Sequence, residues 1–157
     1  MIAVLQRVNR AAVLVEGSTV GEIGHGLLIL LGVSREDTAA DAELLVKKIA
    51  ACRIFRDGAD KMNLSVRDVA GGVLVVSNFT LLADYAHGNR PSYFEAASPA
   101  EAQSLYLYFA ELMAREVSSV ATGEFGAHMQ ISMEADGPVT IVMDSRVLQH
   151  KGKEKKI

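Results

Sequence analysis

The chain of 157 residues has one cysteine, Cys52. A lone thiol excludes an intrachain disulfide and a cysteine-rich zinc site. Long apolar runs are also missing. The longest, Gly26 to Val33, falls far short of the roughly 20 residues that span a bilayer. The first ten residues, MIAVLQRVNR, place Arg7 and Arg10 after the apolar positions, the reverse of a secretory signal. A cytoplasmic chain without a membrane partner is therefore expected. No P-loop, G-x-G-x-x-G or G-x-S-x-G segment occurs, and the glycines of GEIGHG (residues 21–26) lack the spacing of a phosphate-binding loop. The four histidines, His25, His87, His128 and His150, lie far apart without metal-ligand spacing. No metal and no cofactor are expected.

The residues present are those of a globular domain: 50% hydrophobic and 22% charged, in a length that suits one domain with a substantial core. Charge is uneven. Residues 1–145 hold 11 Lys and Arg against 18 Asp and Glu, a balance of −7, while residues 146–157 hold five against one, a balance of +4. An acidic body argues against gripping a nucleic-acid duplex over a broad surface. The expected organisation is a single domain over 1–145 and a basic tail over 146–157. The tail reads either as a solvated, flexible end or as an aid to steering an anion.

Period-two and continuous apolar runs predict strands at IAVLQRV, AAVLVEG, TVGEIG and GLLILLGV, with glycines between the later ones. Asp37 and Thr38 open a helix whose apolar face carries Leu45, Ile49 and Cys52. RIFRDG reads as a short strand, KMNLSVRDVAGG as a loop with a short ordered piece, and VLVVSNFTL as a further strand. The clearest helix follows, with Ser98 as N-cap, Pro99 at its first position and Glu101 completing a capping box. Leu105, Phe109, Leu112 and Glu116 trace one face of it, mostly apolar. Two more strands, MQISMEA and VTIVMDS, are expected on either side of Asp136-Gly137-Pro138. The sum is an α+β fold with a mostly antiparallel, barrel-like sheet and two long flanking helices, not in βαβ alternation.

Within VLVVSNFTLLAD (residues 73–84), Ser77, Asn78 and Thr80 interrupt an apolar run. As a strand, Ser77, Phe79 and Leu81 share one face and Asn78, Thr80 and Leu82 the other. The Asn78–Thr80 pair either satisfies itself, as buried polar groups must, or holds a ligand. Gly137-Pro138 reads as a turn, and its isomer is not fixed by sequence.

Taken together, MIAVLQRV, VGEIGHGLLILLGV, KMNLSV, VLVVSNFTLLAD, the NRPS segment, GEFGAHMQ and DGPVT resemble, in order and spacing, the D-aminoacyl-tRNA deacylase family over residues 1 to about 145. The resemblance implies a homodimer with its active site at the subunit interface. It implies hydrolysis of the ester joining a D-amino acid, or mischarged glycine, to the tRNA 3′ end. The family's Ser-Gln-Phe-Thr motif corresponds to Ser77-Asn78-Phe79-Thr80, which the resemblance makes catalytic. Its Asn-x-Gly-Pro motif corresponds to Ala135-Asp136-Gly137-Pro138, where a cis Gly137-Pro138 bond from one subunit would exclude L-amino acids from the other subunit's site. Thr80 is read as a positioning group or as a nucleophile, the former preferred because no base stands out beside it. Asn78 and Ala135 depart from the family pattern. The alternative they raise is a catalytically weakened member that binds the charged tRNA 3′ end.

Overall fold

The computed structural model describes residues 1–151. Its spine is β1 (Ile2–Val15), which pairs antiparallel with β2 (Ser18–Ile23), β3 (Gly26–Gly32) and β8 (Gln130–Asp144). Beyond β3 come β6 (Gly72–Ser77) and β7 (Ser119–Thr122), both added in parallel. The main sheet runs β2-β1-β3-β6-β7 with β8 on the other edge of β1, and Gly21 of β2 meets Thr122 of β7 so that it nearly closes. β4 (Phe55–Arg56) and β5 (Met62–Leu64) form a separate hairpin. The helices are α1 (Ala39–Ala50), α2 (Pro99–Glu116) and α3 (Ser145–Lys151). No helix among the described residues is long and apolar enough to cross a membrane.

The uninterrupted apolar runs of β3 and β6 follow from burial on both faces. Leu27, Ile29, Leu31, Val73 and Val75 pack under α1 and α2, where Leu45, Ile49, Phe109 and Met113 are buried. Leu28, Leu74 and Val76 pack on the other face with Val8, Val13 and Ile23. Both long helices begin as their caps predict. The Thr38 amide donates to Asp41 Oδ2 (2.9 Å) at the start of α1, and Ser98 Oγ donates to Glu101 Oε2 (2.8 Å) at the start of α2.

Five expectations change. The two N-terminal strands are one, because β1 continues through Asn9 and Arg10 with register shifts against β8. The two C-terminal strands are likewise one, β8, which runs through Gly137-Pro138. The parallel pairs β3/β6 and β6/β7 are joined across α1 and α2, so crossover units accompany the antiparallel majority. The inward face of α2 is Ala102, Tyr106, Phe109 and Met113, displaced from the expected one, because Tyr106 is buried with its hydroxyl donating to the Val75 carbonyl (3.0 Å). Finally, the first residues of the expected tail belong to α3, and 152–157 lie outside the described residues.

Candidate functional site

The strand expected over residues 73–81 stops at Ser77, so the two-face alternation of Ser77, Phe79 and Leu81 against Asn78, Thr80 and Leu82 does not hold. The neighbouring strand explains why. Leu31↔Ser77 is the last β3/β6 pair, β3 ends at Gly32, and the Asn78 amide closes the ladder on the Leu31 carbonyl (2.8 Å). The chain then winds into a 3-10 turn over Phe79–Leu82. The turn lies flat against Gly32: a Cβ there would sit 2.6 Å from Leu82 Cδ2, 2.9 Å from Leu81 Cβ and 3.1 Å from the Asn78 carbonyl oxygen.

The turn leaves donors open. Its first backbone bond within the turn runs from the Leu81 amide to the Asn78 carbonyl (3.3 Å), and the amides of Phe79 and Thr80 have no acceptor among the described residues, as expected at the start of a helix. Asn78 and Thr80 do satisfy each other: the Thr80 hydroxyl donates to Asn78 Oδ1. Phe79 is 55% exposed and meets Tyr93 edge-to-face at 5.0 Å between centroids.

Ser77, Asn78 and Phe79, but not Thr80, line a cavity of about 500 Å³ whose walls are mainly apolar and include Tyr93, Phe125 and Met129. Tyr93 is the one titratable side chain in that lining, which holds no carboxylate, histidine or lysine. Sequence reasoning missed Phe125 and Met129. Their segment, GEFGAHMQ, carried family resemblance but no chemical signature of its own. A second cavity, about 570 Å³, lies between β2 and β8 and is lined by Arg10, Glu22, Met133 and Glu134 among others. It is polar, open, and shares no residue with the first.

Gly137 and Pro138 occupy a bulge of β8. Gln6 pairs with Thr140 and Val8 with Ala135, so residues 136–139 all face the single residue Arg7. The Gly137-Pro138 bond is cis, and Gly137 has φ +140, a conformation that side chains rarely adopt. Two β1 residues clamp the bulge. Arg7, 2% exposed, donates from Nη1 to the Ile54 carbonyl (2.7 Å). Its Nε lies 2.9 Å from Asp136 Oδ2 as an ion pair, without the alignment of a hydrogen bond. On the other side, Gln6 takes a bond from Thr140 Oγ1 (2.6 Å) and reaches the Val139 carbonyl (3.4 Å).

The two motifs do not meet within one chain. The bulge is level with Arg7, which pairs with Leu27, which pairs with Val73. Ser77 is four residues further along β6. Three strand spacings and four residues of rise put the motifs roughly 20 Å apart along the sheet.

A nearly closed α+β sheet with a 3-10 turn beside a mainly apolar cavity, lined by Tyr93 but by no carboxylate, histidine or lysine, defines the class of fold and site. Comparison with known proteins makes the assignment particular. Residues 4–144 match the family model described as D-Tyr-tRNA(Tyr) deacylase. The chain is 57% identical over 146 residues to a protein named D-aminoacyl-tRNA deacylase from Dehalococcoides mccartyi (strain ATCC BAA-2266 / KCTC 15142 / 195), covering 93% of this chain and 95% of that one. It is 53% identical over 147 residues to one of the same name from Thermosipho melanesiensis, covering 93% and 98%. Among solved structures, one named "c-Myc DNA Unwinding Element Binding Protein" superposes with a TM-score of 0.87 at 39% identity, over 92% of this chain and 98% of that one. The chain belongs to the D-Tyr-tRNA(Tyr) deacylase family.

Proposed function

We propose that the protein hydrolyses the ester of D-aminoacyl-tRNA, releasing free D-amino acid and tRNA. The observation that carries this reading is identity above 50% over more than nine-tenths of the chain to proteins of that name, joined to a cavity lined by Ser77, Asn78 and Phe79, next to a turn whose Phe79 and Thr80 amides have no acceptor among the described residues. The terminal adenosine enters the cavity, where Tyr93, Phe125 and Phe79 offer faces and edges to a splayed base. Recognition of a single-stranded end needs no basic duplex-binding surface, which suits the acidic body.

Water attacks the ester carbonyl, and the tetrahedral oxyanion takes hydrogen bonds from the Phe79 and Thr80 amides, which the turn holds in place before substrate arrives. Collapse breaks the bond to the ribose oxygen, which recovers a proton. The cavity lining holds no carboxylate, histidine or lysine, so the vicinal ribose 2′-hydroxyl assists proton transfer. Thr80 positions rather than attacks: its proton is committed to an amide oxygen, Asn78 Oδ1, which is too weak a base to activate a nucleophile.

Discrimination comes from a second copy of the chain. The Gly137-Pro138 bulge lies roughly 20 Å from Ser77 in its own chain, so a homodimer delivers it to the partner's site. Its rigid backbone fills the space that an L side chain would take, a specificity built on exclusion. Glycine, with no side chain to exclude, is cleaved as well. The exposed Phe79, Ile131, Met133 and Val142 give such a dimer apolar surface to bury. Arg7 and Gln6 hold the bulge from β1, so Ala135 in place of the family's asparagine leaves it clamped.

A binding-only reading has one observation in its favour: Asn78 is a methylene shorter than the family's glutamine, and its oxygen is already engaged by Thr80. A time course with D-tyrosyl-tRNA beside L-tyrosyl-tRNA, in EDTA, decides. Loss of the D-ester alone supports the deacylase. Equal loss of both, or loss only with added metal, refutes it. Retention of both esters with measurable tRNA binding favours the second reading, and Asn78→Gln with Ala135→Asn then restores turnover.

A further inference from the structure

Exposed aromatic rings and unengaged arginines are both concentrated at one edge of the molecule. Four of the nine aromatic side chains, Phe79, Tyr85, Tyr93 and Phe94, fall between residues 79 and 94, and all four are exposed. The other five are buried or half-buried. The chain also has nine arginines, and seven of them engage a carboxylate or a carbonyl oxygen of the protein. The remaining two, Arg35 and Arg90, have neither an ion pair nor a side-chain hydrogen bond among the described residues. Arg90 lies in the loop closed by the Asp84–Ser92 pair, and Arg35 stands against the segment that follows it.

Backbone bonds hold Arg35 in place. Its amide donates to the Glu95 carbonyl (3.0 Å), and the neighbouring Ser34 pairs with Ala96. Its guanidinium carbon sits 4.4 Å from the centroid of the Phe94 ring, well inside the reach of a cation–π contact. Phe94 is nevertheless 71% exposed, so the pair adds little buried surface to the fold. The guanidinium keeps its N–H donors without a protein acceptor among the described residues. Nearby carboxylates do not answer it: Asp84 accepts the Ala86 amide (2.9 Å), and Glu95 lines a separate cavity with Leu81 and Tyr85. Tyr93 and Ala96, on either side in sequence, line the cavity of about 500 Å³ proposed for the terminal adenosine, and Phe94 does not. The ring thus stands one residue, about 3.8 Å of chain, beyond the cavity wall.

We infer that Phe94 and Arg35 form a stacking platform for the nucleotide that precedes the terminal adenosine of the tRNA 3′ end, a cytidine. The assignment rests on the reading above, in which that adenosine occupies the cavity. A single strand leaving the cavity past Tyr93 meets Phe94 next. The cytosine stacks on the ring, which Arg35 backs, and the guanidinium offers its N–H groups to the intervening phosphate. Arg90 adds a second cation along the path of the strand. Another protein surface suits this patch less well. It would bury two guanidinium groups that lack carboxylates, at a desolvation cost, whereas a phosphodiester backbone brings the missing anions.

The test reads the base directly and needs no turnover. Uncharged tRNA carrying the fluorescent base pyrrolocytosine at the penultimate position is titrated with the full chain. Binding is expected to quench the probe. Phe94→Ala is expected to abolish the quench and raise Kd about tenfold, with Phe94→Tyr restoring both. Arg35→Gln is expected to weaken binding and to lower the slope of log Kd against log salt by about 0.7, the share of one phosphate contact on a single strand. Both side chains are exposed enough that melting temperatures should stay within about 2 °C of the parent. A parent protein that does not bind, or binds without quenching, overturns the assignment. So does a Phe94→Ala protein that keeps the quench or binds within about twofold of the parent. A changed oligomeric state of Phe94→Ala in sedimentation also overturns it, since the ring would then be a subunit contact. Turnover of D-tyrosyl-tRNA on the same preparations separates the two readings. Quenching without turnover supports the platform and defeats the deacylase reading; turnover without quenching does the reverse.

Discussion

Gly32→Ala isolates the placement of the donor-bearing turn from the chemistry of its side chains. The added Cβ would meet three atoms: Leu82 Cδ2 at 2.6 Å, Leu81 Cβ at 2.9 Å and the Asn78 carbonyl oxygen at 3.1 Å. The first is the end of a side chain and can rotate away. The other two belong to the turn's own frame and have to translate. Relaxing a contact from 2.9 Å to an ordinary carbon–carbon distance of about 3.7 Å moves the turn by just under about 1 Å. Overpacking of this kind costs about 1–3 kcal/mol, or roughly 3–10 °C of melting temperature at this chain length. A displacement near 1 Å at reacting groups costs on the order of 10²-fold in rate, equivalent to about 2.7 kcal/mol of transition-state stabilisation. The assay is kcat/KM for D-tyrosyl-tRNA well below the melting point, with Gly24→Ala as control, since a Cβ at Gly24 meets nothing within 4 Å. A Gly32→Ala protein that melts lower but keeps activity within about twofold of the parent would refute the argument that these backbone amides carry the reaction.

Three further outcomes are expected. Arg7→Met removes the cation beside Asp136 and the donor to the Ile54 carbonyl; chemical denaturation should register a loss of about 2–3 kcal/mol, at the low end for a broken buried pair because Asp136 is 38% exposed, and cleavage of L-tyrosyl-tRNA should rise relative to the D-ester. Thr80→Val should lower kcat/KM about tenfold or less if Thr80 only positions, whereas a fall beyond about 10⁴-fold would indicate a nucleophile. Burial opposes ionisation of Asp41, but hydrogen bonds from Ser145 and Thr38 and the Met1 ammonium outweigh it and hold the carboxyl below its ordinary 3.8. Its contribution to stability is therefore full above the unfolded value and lost as pH falls through the folded one; urea midpoints measured from pH 6 to pH 2 should decline below about pH 4, and less steeply in Asp41→Asn.

What the sequence made legible divides along a physical line. Local chemistry was readable: α2 begins where Ser98, Pro99 and Glu101 place it, and the doubly buried β3 and β6 announce themselves as unbroken apolar runs. Pairing was not. Phe79-Thr80-Leu81-Leu82 is as apolar as the strand before it, and only the end of β3 at Gly32 deprives it of a partner and lets it coil. Asn9-Arg10 and Asp136-Gly137-Pro138 carry turn-forming residues, yet β1 and β8 run through both, because pairing along β1 outweighs local preference and turns the breaks into bulges.

The candidate site inherits this division. The residue types at Ser77, Asn78, Phe79, Thr80, Gly137 and Pro138 drew attention as a sequence. In the proposed mechanism Phe79 and Thr80 act through an unpaired backbone, which no side-chain pattern encodes. A strand would have spent those two amides on a ladder; the 3-10 turn leaves them free. The same holds for the bulge, where four residues opposite Arg7 project from a strand otherwise fixed in register. In both places a β ladder is interrupted, at Ser77 where β6 ends and opposite Arg7 where β8 bulges. Substitution of side chains alone should therefore damage this site less than any change that lets either ladder close.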